Sequence, residues 1–272
     1  VVNDMPFGLR ESRESRAGRE NARLVVRTGG FLAVTTLMLG PFVLRMQMAN
    51  RMGRDSDSVR EAWVNTWARS LLRLFAVDVV VDGTLPPRTM RGRLVVSNHR
   101  SAIDVGVMLS TFGGVMVSRA DLANWPIVGA AARAAGTLFV DRAKTTSGAQ
   151  VIRAMQGRLE KGQSVCLFPE GTTFDGDEIR PFFGGAFVAA ARAAAEVLPV
   201  GIAYPHASGV AFVNETFPQH LVRMARSSGV RMALAIGKPF ALAKSDRASV
   251  VTGRAHDEVD VLVKRARKIC GA

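Results

Sequence analysis

The chain has 272 residues, 36 lysines and arginines against 23 acidic residues, and a formal net charge of +13. That length fills one large core or two small ones, and two widely separated cysteines, Cys166 and Cys270, exclude a disulfide framework and fit a reducing compartment. A polyanionic partner follows from the charge; 48% hydrophobic residues and a single tyrosine favour an anionic membrane surface over nucleic acid, which would want basic residues interleaved with stacking aromatics.

Residues 1–27 read as a basic arm. LRESRESRAGRENARLVVR (9–27) spaces Arg10, Arg13, Arg16, Arg19, Arg23 and Arg27 by threes and fours, giving one helical side that is solvated or faces lipid headgroups. The next stretch, TGGFLAVTTLMLGPFVL (28–44), is uncharged between Arg27 and Arg45 and sits at the short limit for crossing a bilayer, with a kink expected at Gly40-Pro41. No small-x-small site follows before Arg45 and Arg51, so a cleavable secretory signal is not expected. SVREAWVNTWARSLLRLFAV (58–77) aligns Trp63, Trp67, Leu71, Leu74 and Phe75, with Arg69 and Arg73 off the stripe. Such a helix suits a membrane interface or a place on the core, and residues 28–77 together read as a membrane-associating helical pair.

From residue 78 the period changes. Short runs, VDVVV (77–81), LVVS (94–97), VMVS (115–118), TLFV (137–140), SVCLF (164–168), LPVGIAY (198–204) and VRMALAIG (230–237), predict strands. Helical patterns stand between several of them. TTSGAQVIRAMQGRLEKG offers hydroxyls for an N-cap and puts Ile152, Met155 and Leu159 on one face. An alanine-rich stretch follows residue 183, and HDEVDVLVKRARKI (256–269) has acids at its start and bases at its end, as a helix dipole prefers. Residues 78–272 therefore predict an α/β domain with a mixed, largely parallel sheet flanked by helices. Cys166, inside an apolar run, reads as core, and His206 reads as structural.

Ligands of such sheets gather outside the carboxyl ends of strands. LVVS ends at Asn98-His99, and SVCLF ends at Pro169-Glu170-Gly171-Thr172. Asp104, in the first turn of a following helix, can fold back onto one nitrogen of His99, fix its tautomer and leave the other nitrogen to take a proton. The amides of that turn are expected to face developing negative charge. Glu170 is expected to hold a hydroxyl, with Gly171 admitting a substrate close to the backbone. The plainer alternatives are a helix capped by Ser101 beside an ordinary loop histidine, and a turn with Glu170 exposed. No Gly-x-Ser-x-Gly elbow, P-loop or Gly-x-Gly-x-x-Gly is present, and the four histidines show no metal-ligand spacing.

NHRSAID (98–104) resembles the His-x4-Asp block of the glycerolipid acyltransferases of the lysophosphatidic-acid acyltransferase type. GTLFVDR (136–142), FPEGTT (168–173) and VLPVGIAY (197–204) resemble their second, third and fourth blocks in order, and SRADLANWPIVG (118–129) resembles the segment between the first two. The resemblance implies His99 as general base, Asp104 as its orienting partner, and Arg142 as the anchor for the acceptor's phosphate or another anionic headgroup. It places Glu170, Gly171 and Thr172, with Asn98 and Arg119, around the acceptor. It implies direct attack of a lysolipid hydroxyl on acyl-CoA or acyl carrier protein, without an acyl-enzyme, a cofactor or a metal, at the cytoplasmic face of the cell membrane. Thr173 stands where the third block often carries arginine, removing a bidentate phosphate ligand, and Arg119 stands where lysine is common. Lysophosphatidic acid leads as acceptor, with lyso-ornithine lipid and other lysophospholipids as competitors. A thioesterase or lipase using the same pair, and a non-enzymatic basic lipid- or nucleic-acid-binding module, are the rival classes.

Overall fold

A computed structural model of the chain describes residues 13–87, 90–125, 127–141 and 144–271. Helix α1 (Arg13–Arg51) runs unbroken through the end of the expected arm and the apolar stretch, so residue 28 is no structural boundary. Pro41 sits inside this helix, which continues to Arg51. Arg10, with the rest of residues 1–12, lies outside the described residues.

Arg27 departs from the expected headgroup-facing row. It is buried, and its guanidinium donates to the carbonyl oxygens of Leu74 at 3.0 Å, Ala225 at 3.3 Å and Ser227 at 2.6 Å. A cation at the carboxyl ends of two helices meets carbonyls that have no partner within those helices. Downstream, Phe31, Thr35, Phe42 and Ala49 are the buried positions of α1, whereas Val25, Val26, Leu37, Leu44, Met48 and Met52 face outward.

Helix α2 (Ser56–Leu74) starts at Asp55, whose carboxylate accepts from the Asp57 amide at 2.9 Å. Its tryptophans face α1, and the stripe packs on the core, the second of the two places expected for it. The Trp63 indole donates to Met38 O at 3.0 Å and stacks on Phe42 at 4.3 Å, and Trp67 donates to Thr35 Oγ1 at 3.1 Å. Each indole N–H thus has a protein acceptor while its ring leaves water.

The α/β domain follows with strand β1 (Val77–Asp82), β2 (Arg93–Ser97), helix α3 (Ile103–Phe112), β3 (Val115–Arg119), α4 (Val128–Ala134), β4 (Leu138–Val140), α5 (Thr145–Glu160) and β5 (Ser164–Leu167). It is completed by α6 (Gly185–Arg192), β6 (Glu196–Ala203), α7 (Phe217–Arg226), β7 (Val230–Ile236), β8 (Phe240–Ala241) and α8 (Ala248–Ile269). The strand order is β1-β7-β6-β2-β5-β3-β4, with β8 on β6. Strands β6, β2, β5, β3 and β4 are mutually parallel, while β7 pairs antiparallel with β6. The sheet is mixed and largely parallel, as expected.

Side-chain alternation builds two cores. Val95, Cys166 and Leu198 point to the side covered by α1, α2, α3 and α7, and Leu94, Val165 and Val197 point to α5, α6 and α8. Cys166 is core; burial pushes its thiol up to about 12. At Gly201 a Cβ would meet the α8 backbone at 2.3 Å, so only glycine lets that helix lie this close to the central strand.

Three local expectations fail. The N-cap of α5 is Lys144 with no side-chain cap bond, because the nearby Ser147 hydroxyl accepts from the Asp141 amide at 2.9 Å instead. Helix α8 starts at Ala248, so the acids at 257 and 258 lie in its middle rather than its first turn. His206 is exposed rather than packed. Helix α7, which no sequence signal above identified, opens with a reciprocal capping box between Thr216 and Gln219.

Candidate active site

Strands β2 and β5 are parallel neighbours with Val96 opposite Leu167, so the loops leaving their carboxyl ends adjoin. His99 sits in the first loop. Its Nδ1 lies 2.9 Å from Asp104 Oδ2, its ring stacks on Phe168 from the second loop at 3.9 Å, and its side chain is 18% exposed. No hydrogen-bond partner for its Nε2 is found among the described residues.

Asp104 is fully buried and heavily bonded. Oδ2 also accepts from the amides of Arg100 at 2.6 Å and Ser101 at 2.8 Å, and Oδ1 accepts from the Tyr204 hydroxyl. A carboxylate held by this many donors is fixed in its rotamer. Burial, followed by the charge of Asp104, raises the Tyr204 phenol well above its ordinary range, so it remains a donor. Since Nδ1 faces an anion, it carries the ring proton, and Nε2 presents its lone pair toward the accessible side. Such a pair can remove a proton from a bound hydroxyl and return it to a leaving group.

The first-turn amides of α3 do not face outward as expected. Ile103 N–H donates to Ser101 Oγ at 3.3 Å and Asp104 N–H to Ser101 O at 3.1 Å, closing the turn on itself.

Glu170 also departs from its expected role. Its side chain is fully buried, and its oxygens accept from His99 N–H at 2.8 Å, Arg100 Nη1 at 2.9 Å and Arg180 N–H at 3.1 Å. With those acceptor positions filled, it ties the His99 loop to its own rather than holding a substrate hydroxyl. Arg100 extends the tie, donating to Gly176 O at 2.6 Å and Glu178 O at 2.8 Å. Asn98, expected near the acceptor, is a strand brace: its side-chain amide exchanges two 2.8 Å bonds with the backbone of Ile202.

The remaining predicted residues differ in placement. Gly171 turns the loop at φ +75°, a conformation that favours glycine, and Thr172 is exposed. Arg119, at the carboxyl end of β3, is exposed and pairs with Asp121 at 2.9 Å. Arg142 lies outside the described residues. Sequence reasoning missed Arg100, Phe168 and Tyr204. Tyr204 carried a usable signal, being the single tyrosine and standing where the strand beside β2 ends. A cavity of about 330 Å³ lies behind the loop, lined by Arg100, Tyr204, Glu215 and Arg267 among others, and does not include His99.

The site is a histidine–aspartate pair at a strand end of a mixed sheet, arranged for acid–base chemistry on a hydroxyl. The family model described as Acyltransferase matches residues 78–203, which contain His99, Asp104, Arg100 and Glu170. Lyso-ornithine lipid O-acyltransferase of Pseudomonas aeruginosa is 28% identical over 84% of this chain and 89% of its own length. Its counterpart from Brucella abortus is 32% identical over 67% of this chain and 75% of its own. A 1-acyl-sn-glycerol-3-phosphate acyltransferase of Neisseria gonorrhoeae is 31% identical over 50% of this chain and 54% of its own. The crystal structure of the 1-acyl-sn-glycerophosphate acyltransferase PlsC from Thermotoga maritima superposes with a TM-score of 0.72, 19% identity, and coverage of 92% of this chain and 97% of that one. The chain belongs to the lysolipid acyltransferase family and is an acyltransferase.

Proposed function

We propose that this enzyme moves a fatty acyl group from a thioester, acyl-CoA or acyl carrier protein, to the free hydroxyl of a membrane lysolipid, and that lyso-ornithine lipid is its acceptor ahead of 1-acylglycerol-3-phosphate. His99 Nε2 takes the hydroxyl proton as the oxygen attacks the thioester carbonyl. Asp104 stabilises the imidazolium, which then gives the proton to the departing thiolate. Such a base contributes on the order of 10²–10⁴ in rate. No protein nucleophile is needed, in keeping with the missing serine elbow.

The observation that carries the transfer reading is the His99–Asp104 pair, 2.9 Å apart with a partly open imidazole. The acceptor choice rests on the third block. Thr173 replaces a cation, and its hydroxyl is committed to Phe212 O. Next to it Phe174 N–H bonds His99 O at 3.2 Å, and exposed Asp175 and Glu178 follow. This loop carries both signs, with exposed Arg180 beside those acids, which suits a headgroup bearing an amine as well as an acid better than a bare phosphate monoester. The lyso-ornithine relatives above match the greater share of this chain.

Helix α1 is long and apolar enough to cross a membrane: its apolar window has mean hydropathy 1.4 and is only 17% buried. We place its outward Leu37, Leu44 and Met48 against the leaflet that holds the acceptor, on the cytoplasmic side where the thioester donors are made. Purified protein offered lyso-ornithine lipid, lysophosphatidic acid and lysophosphatidylethanolamine, with either donor, is expected to yield acylated ornithine lipid by mass spectrometry. Phosphatidic acid as main product overturns the acceptor choice. Free fatty acid released without any acceptor overturns transfer in favour of hydrolysis.

A further inference from the structure

A second histidine–carboxylate pair lies behind the first. His220, on α7, is 1% exposed. Its Nδ1 lies 2.8 Å from Glu215 Oε1, and its Nε2 lies 3.2 Å from Ser101 Oγ. Arg223 Nη2 approaches Nδ1 at 3.1 Å, but it also bonds Glu215 and Ala211 O, which accounts for both of its protons. The Nδ1 proton therefore goes to Glu215, and the Nε2 lone pair accepts the Ser101 hydroxyl.

Ser101 is the hub of the turn that carries Asp104. Its N–H donates to Asp104 Oδ2 at 2.8 Å, its carbonyl accepts from Asp104 N–H at 3.1 Å, and its hydroxyl oxygen accepts from Ile103 N–H at 3.3 Å. With its own proton directed to His220, that hydroxyl keeps a lone pair aimed at Ile103. Ser101, Asp104 and His220 are buried, so a bond lost among them leaves a group without water to replace it. Phe212 closes over the His220 ring at 4.6 Å. Burial lowers the affinity of His220 for a second proton, in keeping with a neutral ring that accepts at Nε2.

We propose that His220, held by Glu215, is a positioning residue for acyl transfer: through the Ser101 hydroxyl it fixes the turn that aims the Asp104 carboxylate at His99. This rests on His99 being the general base. His220 touches neither substrate nor His99; its effect passes through Ser101 and Asp104. A misplacement of the base of this kind lowers turnover about tenfold to a hundredfold without changing how substrates bind.

The test uses the full chain on lysolipid-containing vesicles with acyl-CoA. His220→Ala is expected to lower kcat by about ten- to a hundredfold, with both KM values within about twofold of wild type. His220→Gln, which can place an acceptor near the former Nε2, is expected to recover most of that loss. Ser101→Ala is expected to match His220→Ala, and the double variant to be no worse than either single. Vesicle binding and thermal unfolding show whether each variant is folded, and the Gln and Ser101 variants carry the test should His220→Ala not fold. Unchanged kcat in His220→Ala, no recovery with Gln, or multiplicative losses in the double variant overturns the proposal. His99→Ala, run alongside, separates the two readings: if it stays active, the general-base reading fails; if it is inactive while His220→Ala is normal, only the positioning role fails.

Discussion

Among the described residues, two imidazole–carboxylate pairs at the core of the α/β domain share nearly the same geometry and differ in accessibility. His99 Nδ1 lies 2.9 Å from Asp104 and His220 Nδ1 lies 2.8 Å from Glu215. The His99 side chain is 18% exposed and that of His220 is 2% exposed. The difference lies in the second nitrogen. In His99 it has no partner among the described residues, whereas in His220 it receives a buried serine hydroxyl. A carboxylate at Nδ1 orients either ring equally well; access at Nε2 is what makes one of them a base for an external hydroxyl.

The sharpest way to break that comparison is Asp104→Asn. It removes the anion that fixes the His99 tautomer, and a loss of about 10³–10⁴ in kcat is expected, measured as acylated lipid formed per minute. Glu170→Ala comes next and acts on stability. It leaves the buried Arg100 guanidinium, 6% exposed, without its carboxylate, and a loss of about 3–5 kcal/mol is expected in denaturant unfolding. Tyr204→Phe removes one donor to Asp104 while keeping the ring; about a tenfold fall in kcat is expected, with the fold intact.

The closed pair also predicts an acid response. The folded protein binds a proton at His220 less readily than the unfolded chain does, so its contribution is complete above about pH 6.5 and is lost as pH falls. Glu215, held below the usual carboxylate range chiefly by Arg223, adds a loss of the same sign at lower pH. Thermal unfolding followed from pH 8 to pH 5 should show stability falling below about pH 6.5, and His220→Gln should flatten that decline. The smallest effect is expected at Arg119→Ala, an exposed ion pair whose loss should move stability by no more than about 0.5 kcal/mol.

Much of the fold was legible because it depends on local period. Seven strands, VDVVV to VRMALAIG, fall where β-branched alternation placed them. Helix α7 was missed although FPQHLVRMAR is amphipathic in its own sequence and opens on a Thr216-x-x-Gln219 capping box, because it is short and stands between weak signals. Arg27 misled, and the two tryptophans stayed ambiguous, for a different reason. A basic residue and an amphipathic indole look the same in sequence whether they face a membrane or, as here, the helix ends near residues 74 and 225 for Arg27 and the side of α1 for the indoles.

At the site, sequence spacing located His99 and Asp104 because their contact spans five residues and a single turn. It placed Asn98 and Glu170 correctly at strand ends but misassigned what they hold. Their partners, Ile202 and Arg180, lie 104 and 10 residues away, and only folding brings those backbone groups to them. Whether a polar side chain at a strand end faces substrate or braces the loop is decided by how many donors the tertiary structure supplies. Asn98 and Glu170 are engaged with the backbone on both of their side-chain polar atoms; His99 keeps one nitrogen free of any partner among the described residues.

The central claim is that His99 Nε2 takes the acceptor's proton. The direct measurement is acyl transfer by His99→Ala on lysolipid vesicles, with vesicle binding and thermal unfolding measured on the same preparation. A fall of about 10²–10⁴-fold with binding and folding retained is the predicted result. Transfer within about tenfold of wild type contradicts it, since no single lost base leaves so much rate behind.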